Sequence, residues 1–578
     1  MHHYTTLKYT LCSVLTGAAL LLSSCAQASA TQTQSLSSSS ESIPVTVIDT
    51  STLFSQQDLD GSYDASQAVT ISLQGDTAAC DDSSVIMDGS TVTITAEGVY
   101  ILSGTLYDGQ IQINAPDSAQ VQLVLNGVDI TSADSSAIYS LEADHVFITL
   151  ADGSENSLSN GGAYIPIDEN DLDSVIFSKT DLTLNGSGSL AIYAEAGHGI
   201  VSKDDLIITG GTYTIEAASH GMTGKDTFCI ADGTFTITSG KDGLHAENTE
   251  DSTLGSLYIS GGTFTIAAQG DAVSASGALQ IDAGTFDLLT GGGSASVSMS
   301  YDTAAAPDRS HSPGSGSARR EAPTGLEEAP PDSAVQATAE TTESDSASSE
   351  DSETADSVSQ KGLKSDGTLV ILDGSFTMDT VEDALHAGGD LAIASGEFTL
   401  SSGDDAIHSD AAITILDGTY TIPVCYEGIE GSSITIWDGT FSITSYDDGL
   451  NAAGDSTGEA GYSPTENSAP EVFLTINGGT LTVVSGGDCI DSNGDLTVSG
   501  GTLDLTCNGA ADTALDVDGA YTHTGGSVTT NDGSEENPSA MGGRGGSPGG
   551  GRMGGGRMGD GSSPDRSAQK APDLQAGG

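Results

Sequence analysis

Positive charge is scarce in this sequence. Fifteen Lys and Arg stand against 82 Asp and Glu, a formal net charge of −67, and no Arg occurs between residues 26 and 308 or between 321 and 543. A surface so acidic repels nucleic acid and anionic membranes. It also repels an acidic polysaccharide unless cations bridge the two. Aromatic residues make up 5% of the chain, with one Trp, so large rings cannot dominate the interior. None of the seven Cys has the Cys-x-x-Cys spacing of a zinc site. With Cys12 and Cys25 near the start, five remain: Cys80, Cys229, Cys425, Cys489 and Cys507. Cys489 and Cys507 fall in neighbouring repeats and could pair, but buried single thiols are the expectation. Long apolar runs are missing too, apart from Leu11 to Leu22, which is too short to span a bilayer as a helix. That run follows Lys8 and leads into Leu22-Ser-Ser-Cys25, which reads as a lipobox. Cleavage before Cys25 and acylation of its thiol would tether the chain outside a bacterial membrane; an ordinary signal peptide cut near Ala28 to Ala30 is the alternative.

What the sequence does contain is repetition. The aromatics Phe376, Phe398, Tyr420 and Phe441 follow one another in steps of 22, 22 and 21. Seven residues after each comes an acid: Asp383, Asp405, Glu427 and Asp448. Three residues further comes another donor: His386, His408, Glu430 and Asn451. A fixed period near 22 marks stacked coils of one supersecondary unit. Within a coil, Gly-x-Phe-Thr-Leu/Ile alternates apolar and polar residues, Leu391-Ala-Ile393 is a second such piece, and Ala384-Leu385 a third. Three strands in 22 residues predict an all-β solenoid, a parallel β-helix. A leucine-rich repeat would need more Leu and a helical stretch that is not there.

Stacking puts equivalent residues ~4.8 Å apart. The aromatics should then form an internal stack. Two carboxylates at that distance repel by roughly 1 kcal/mol in water and ~3.5 kcal/mol at an effective dielectric of 20. Such a column is either left solvated or neutralised by a cation. With so few Lys or Arg nearby, Ca²⁺ with its 6–8 oxygen ligands is the natural neutraliser. The expected metal ligands are Asp383, Asp405, Glu427, Glu430, Asp448 and Asp488, with Asp242 and Asp271 in the earlier half. Trp437 and Tyr446 are candidate sugar-stacking residues beside an insertion at 453–470, and His386, His408 and Asn451 are candidate ligand-binding residues.

Along the chain, residues 1–25 read as signal and lipobox, 26–65 as a flexible tether rich in Ser, Thr and Gln, and 66–290 as the first part of the solenoid with a cap. Residues 291–360 read as a disordered acidic insertion, 361–531 as the second part of the solenoid, and 532–578 as a Gly/Arg-rich tail. Either one solenoid expels the insertion as a loop or two solenoids flank a linker. In the last coil Asp512 and Asp516 fall near the acid position.

Paired carboxylates could hydrolyse a glycosidic bond. Here, however, the pairs Glu382-Asp383, Asp404-Asp405 and Asp447-Asp448 recur coil after coil, whereas a catalytic pair is normally unique. Gly197-His198-Gly199 is similar to a polygalacturonase motif, yet His198 lies 22 before His220 and is a repeat position. The expectation is a protein that is not an enzyme.

The repeated Gly-Gly-Thr-Phe-Thr-Ile, followed by Asp242-Gly-Leu-His-Ala, Asp383-Ala-Leu-His-Ala, Asp405-Ala-Ile-His-Ser and Asp448-Gly-Leu-Asn-Ala, resembles a family of secreted bacterial carbohydrate-binding domain-containing proteins. The resemblance covers roughly residues 60 to 530. It implies a right-handed parallel β-helix, similar in shape to polysaccharide lyases, that carries Ca²⁺ and binds cellulose and pectic acid without catalysis. This chain departs from the pattern where Lys361 and Lys364 take the acid and donor positions and where Gly293 falls at an expected acid. Calcium should be absent from those coils. The whole reading is a monomeric, lipid-anchored protein of the cell surface whose partner is a polysaccharide, with an adhesive stalk or a lyase or hydrolase as alternatives.

Overall fold

The computed structural model describes residues 31–37, 42–167, 170–299, 358–453, 472–510, 512–536 and 538. Cys25, most of the acidic insertion, the 453–470 insertion beyond Ala453 and nearly all of the Gly-rich tail lie outside them.

Each coil consists of three strands joined by turns. In one coil these are the long strand Thr234–Ser239, the short strand Leu244–Ala246 and the strand Ser256–Ile259. We call these positions the long, edge and face strands. The next coil repeats them as Thr263–Ala268, Val273–Ala275 and Leu279–Ile281, each paired parallel and in register with its predecessor. Thr and Ile alternate in the long strand, so Phe235 and Ile237 point inward while Thr234, Thr236 and Thr238 face solvent. This is the pleat of a half-buried strand, and the fold is a parallel β-helix.

Register carries each aromatic onto the next. Phe235, Phe264, Phe286, Phe376, Phe398, Tyr420 and Phe441 are all buried, and successive ring centroids lie 4.5–4.8 Å apart in near-parallel planes. The Gly two residues before each ring has a steric reason. At Gly396 (φ +140°) a Cβ would stand 2.8 Å from the Phe398 ring, so only a residue without one fits.

The ladder runs through the acidic insertion. Phe286 pairs with Phe376 and Val273 with Leu363, so residues on either side of the insertion belong to adjacent coils. Lys361 therefore fills the acid position of that coil. Gly293 lies instead beside the short 3₁₀ turn Ser294–Ser296, off the ladder. At the other end Thr513, not Asp512, aligns with the acids, because Leu515 pairs with Ile490.

The tether expected over residues 26–65 is corrected in its second half. Ile48, Leu53 and Phe54 pack with Ile207, Cys229 and Tyr258 on the outer surface of the face strands. The Ile48 N–H donates to Gln280 Oε1 at 2.7 Å, and Asp58 accepts from Thr183 Oγ1 at 2.7 Å. The segment is mostly polar, but a few apolar anchors and one buried acid are enough to hold it down. All five cysteines, Cys80, Cys229, Cys425, Cys489 and Cys507, are free thiols.

Phe398 has a ring on either side of it. Phe398→Ala should cost about 3–5 kcal/mol in denaturant unfolding; a loss below ~0.5 kcal/mol, as for an exposed ring, would contradict an inward stack.

Candidate cation-binding edge

The turn from long strand to edge strand positions two columns of polar side chains. The inner column lies two residues before the inward Leu or Ile of each edge strand. It runs from His198 and His220 through Asp242, Asp271 and Lys361 to Asp383, Asp405, Glu427, Asp448 and Asp488. The outer column is the middle residue of the edge strand, including His245, Lys364, His386, His408, Glu430, Asn451, Asp491 and Asp516.

The inner acids were expected to be either solvated or cation-bound. The structure gives them a third employment. Where the chain leaves the long strand, the turn N–H needs an acceptor, and the inner side chain of the preceding coil supplies it. Asp242 Oδ1 accepts the Asp271 N–H at 2.9 Å, and Asp271 Oδ1 the Lys361 N–H at 2.7 Å. Asp383 and Asp405 accept from the Asp405 and Glu427 N–H at 3.2 and 3.3 Å, and Asp448 from that of Asp488 at 2.7 Å. His198 and His220 do the same through Nδ1, at 3.3 and 3.2 Å. One oxygen of each laddered acid is therefore structural, which explains why Asp383 and Asp405 are only 3% and 5% exposed.

The other oxygen differs along the edge. Asp242 Oδ2 meets His245 Nδ1 at 2.7 Å, Asp383 Oδ2 meets His386 Nδ1 at 2.9 Å, and Asp405 Oδ2 meets His408 Nδ1 at 2.9 Å. Lys361 Nζ lies 2.7 Å from Asp383 Oδ2 and 3.6 Å from Glu382, and Lys364 Nζ lies 3.9 Å from Asp271. The expectation that these acids lack a protein-borne neutraliser is thus corrected for Asp242, Asp271, Asp383 and Asp405. Burial would raise Asp383, but the His386 hydrogen bond and the Lys361 charge hold it well below the usual carboxylate range. Burial would likewise lower His245, yet Asp242 and Glu247 lift it to about 9.

Beyond Glu430 the described residues include no Lys or Arg. Asp488, Asp491 and Asp516 bring carboxylate oxygens within 4.8 Å of one another. Burial raises Asp488 to about 7, with Asp491 and Asp516 adding to the rise and the Thr513 N–H opposing it. Asp448 rises well above the usual range through burial and then Asp488, and Glu427 through burial and then Asp405. Asn451 donates from Nδ2 to Glu427 Oε2 at 3.0 Å, while its Oδ1 is buried with no partner. An orphaned amide oxygen among crowded carboxylates is the donor chemistry of a hard cation. Asp488, Asp491 and Asp516 therefore fit Ca²⁺, with the Asn451 amide oxygen in the adjoining coil, and Asp491 and Asp516 are ligand candidates that the aromatic-plus-seven rule passed over. For Asp491 the signal was available, since it sits three after Asp488; for Asp516 it was not, because only the pairing of Leu515 with Ile490 puts Thr513 at the acid position.

The two aromatic candidates are separated. Trp437 and Tyr446 are half-buried at opposite ends of the strand Thr440–Ser445, about 20 Å of extended chain. Tyr446 adjoins Asp447 and Asp448; Trp437 belongs to the far turn. A cavity of about 370 Å³ lies elsewhere, against the face strands beside Gln56, Gln122 and Asn185.

A family model described as carbohydrate-binding domain-containing protein matches residues 88–406 and 404–547. A protein of Acetivibrio thermocellus with the same description is 41% identical over 128 residues, covering 22% of this chain and 45% of the relative. The chain thus spans less than half the length of that curated relative. A solved structure, a gadolinium derivative of the polysaccharide lyase-like protein from C. thermocellum, is 35% identical, with a TM-score of 0.38 over 39% of this chain and 92% of that one.

The ladder predicts a split between two substitutions. Asp405→Ala orphans the Glu427 N–H and should destabilise by about 1–3 kcal/mol. Asp405→Asn keeps an acceptor oxygen and should lose less than half as much in denaturant titration. Equal losses would mean that the charge, not the ladder, holds the coil.

Proposed function

The chain belongs to the carbohydrate-binding domain-containing family, and from that premise we propose a non-catalytic surface module that holds polysaccharide through calcium on its acidic edge. The observation that carries the reading is the convergence of Asp488, Asp491 and Asp516 within 4.8 Å, with the unpartnered Asn451 Oδ1 in the adjoining coil. Asp488, Asp491 and Asp516, whose carboxylate oxygens converge, would hold the ion, with Asn451 one coil away beside Asp491. Bound there, Ca²⁺ supplies the positive charge that a uronate carboxylate or a sugar hydroxyl needs on so acidic a surface. The inner acids are occupied by the ladder, so contact with sugar falls to the outer column and to Tyr446, whose ring lies at the same turn. Pectic acid, which is anionic, depends on the ion most; cellulose would rely on Tyr446 and hydroxyl contacts.

Lys361, a basic side chain that could abstract a proton on this edge, is paired with Asp383 and Glu382. The carboxylate pairs that could serve a hydrolase are repeat positions, and one member of each, Asp383, Asp405 and Asp448, is bound to a backbone N–H. Acylation of Cys25, outside the described residues, would anchor the module at the outer surface of the cell.

Two measurements test this. Retention on insoluble polygalacturonate should require calcium and disappear with chelator, and Asp491→Asn with Asp516→Asn should reduce retention and calcium stoichiometry together. Retention that ignores chelator and both substitutions would overturn the reading. The second is pH dependence. An acid raised on folding binds more protons in the native than in the unfolded state, so stability falls as pH rises from the unfolded carboxylate value to the folded one. For Asp488 that window ends near pH 7. The melting temperature of the chelated protein should therefore drop between about pH 4 and 7, and calcium should restore it at pH 8 far more than at pH 5.

A further inference from the structure

The histidine-bearing part of the edge has a different donor chemistry from the all-oxygen end. His408 Nδ1 faces two carboxylates from adjacent coils, Asp405 Oδ2 at 2.9 Å and Glu430 Oε2 at 3.1 Å. Its Nε2 meets Asp410 Oδ1 at 3.2 Å. Both ring nitrogens face carboxylates, and Nδ1 stands where two of them converge. Three carboxylates thus surround one imidazole ring. In the preceding coil the chain places a cation of its own against the equivalent oxygen, Lys361 Nζ at 2.7 Å from Asp383 Oδ2; Asp405 has no lysine in that role.

We propose that His408 Nδ1, Asp405 and Glu430 form a site for one borderline divalent transition cation, of the Zn²⁺ or Co²⁺ kind, which replaces the ring proton and ties two coils together. The proton leaves Nδ1 for solvent, and the freed lone pair becomes the ligand. Imidazole nitrogen suits Zn²⁺, Co²⁺ and Ni²⁺, whereas Ca²⁺ takes oxygen. Asp410 then plays the part of the outer carboxylate that accepts the second ring N–H of a metal-bound histidine and fixes its tautomer. The local sequence pattern is Asp405-Ala-Ile-His408-Ser-Asp410, an acid three before the histidine and another two after it.

The other clusters on this edge are poorer hosts. In His220, Asp242 and His245, the His220 Nδ1 lone pair already accepts the Asp242 N–H, so only His245 Nδ1 and one carboxylate, Asp242 Oδ2, are left to converge, one donor fewer than at His408. In Asp383, Asp404 and Asp405, Lys361 already compensates Asp383. Asp488, Asp491 and Asp516 offer oxygen alone and belong to the calcium reading, from which this site is independent.

The test uses Co²⁺ as the probe on the full chain, with calcium present in excess. Binding should add a visible absorption band, take up one ion that calcium does not displace, and release about one proton per ion. His408→Asn should remove that equivalent, and Asp410→Asn, at an exposed acid, should weaken it by about 10–100-fold. Asp491→Asn should leave it unchanged while lowering calcium uptake, which separates failure of this site from failure of the calcium site. The proposal is overturned if folded His408→Asn, checked by circular dichroism and melting, binds Co²⁺ like the parent. It is equally overturned if the parent binds none or if calcium competes it away. Should His408→Asn not fold, unchanged Co²⁺ affinity in Asp410→Asn overturns it instead.

Discussion

In-register parallel pairing at one strand spacing is the constraint on which this structure depends. It sets every residue ~4.8 Å from its counterpart in the next coil, so each position interacts chiefly with itself. For Phe264 or Phe398 this self-contact is favourable, since stacked rings bury apolar surface on both faces. For a carboxylate it is repulsive. The acidic edge is the set of solutions that the chain finds to that repulsion.

Three solutions succeed one another along the inner column. His198 and His220 avoid charge altogether: burial, followed by neighbouring positive charge, keeps them neutral and stacked. Asp242 and Asp383 stay below the ordinary carboxylate range beside an imidazole, with Lys361 reinforcing Asp383, whereas burial raises Asp405 in spite of His408. From Glu427 onward neither device is used, and carboxyl groups rise above their ordinary range. Throughout, one oxygen of the laddered acids holds the turn N–H of the next coil. Fold and binding chemistry therefore share the same side chains but different atoms of them.

The face strands are treated differently. Residues 48–58 cover part of their outer surface with Ile48, Phe54 and Asp58. What that segment covers is unavailable for recognition, while the acidic edge faces outward with half-buried Glu430, Asp491 and Asp516. The polysaccharide reading rests on that asymmetry together with the family to which the chain belongs.

The sequence by itself determined the coil, its period, its inward aromatic stack and the existence of an acid column, because a strand pleat and a fixed repeat map position directly onto face and register. It also marked Asp242, Asp383, Asp405, Asp448 and Asp488 as column members. It did not reveal that Asp405 would cap the Glu427 N–H, that Lys361 would pair with Asp383, or that Trp437 would lie a strand's length from Tyr446. Nor could Ser- and Gln-rich composition disclose that residues 48–58 pack on the face strands. These features turn on which atom of a side chain meets which neighbour across coils. A period fixes where a residue stands, and only the tertiary structure decides which of its atoms are left for a ligand.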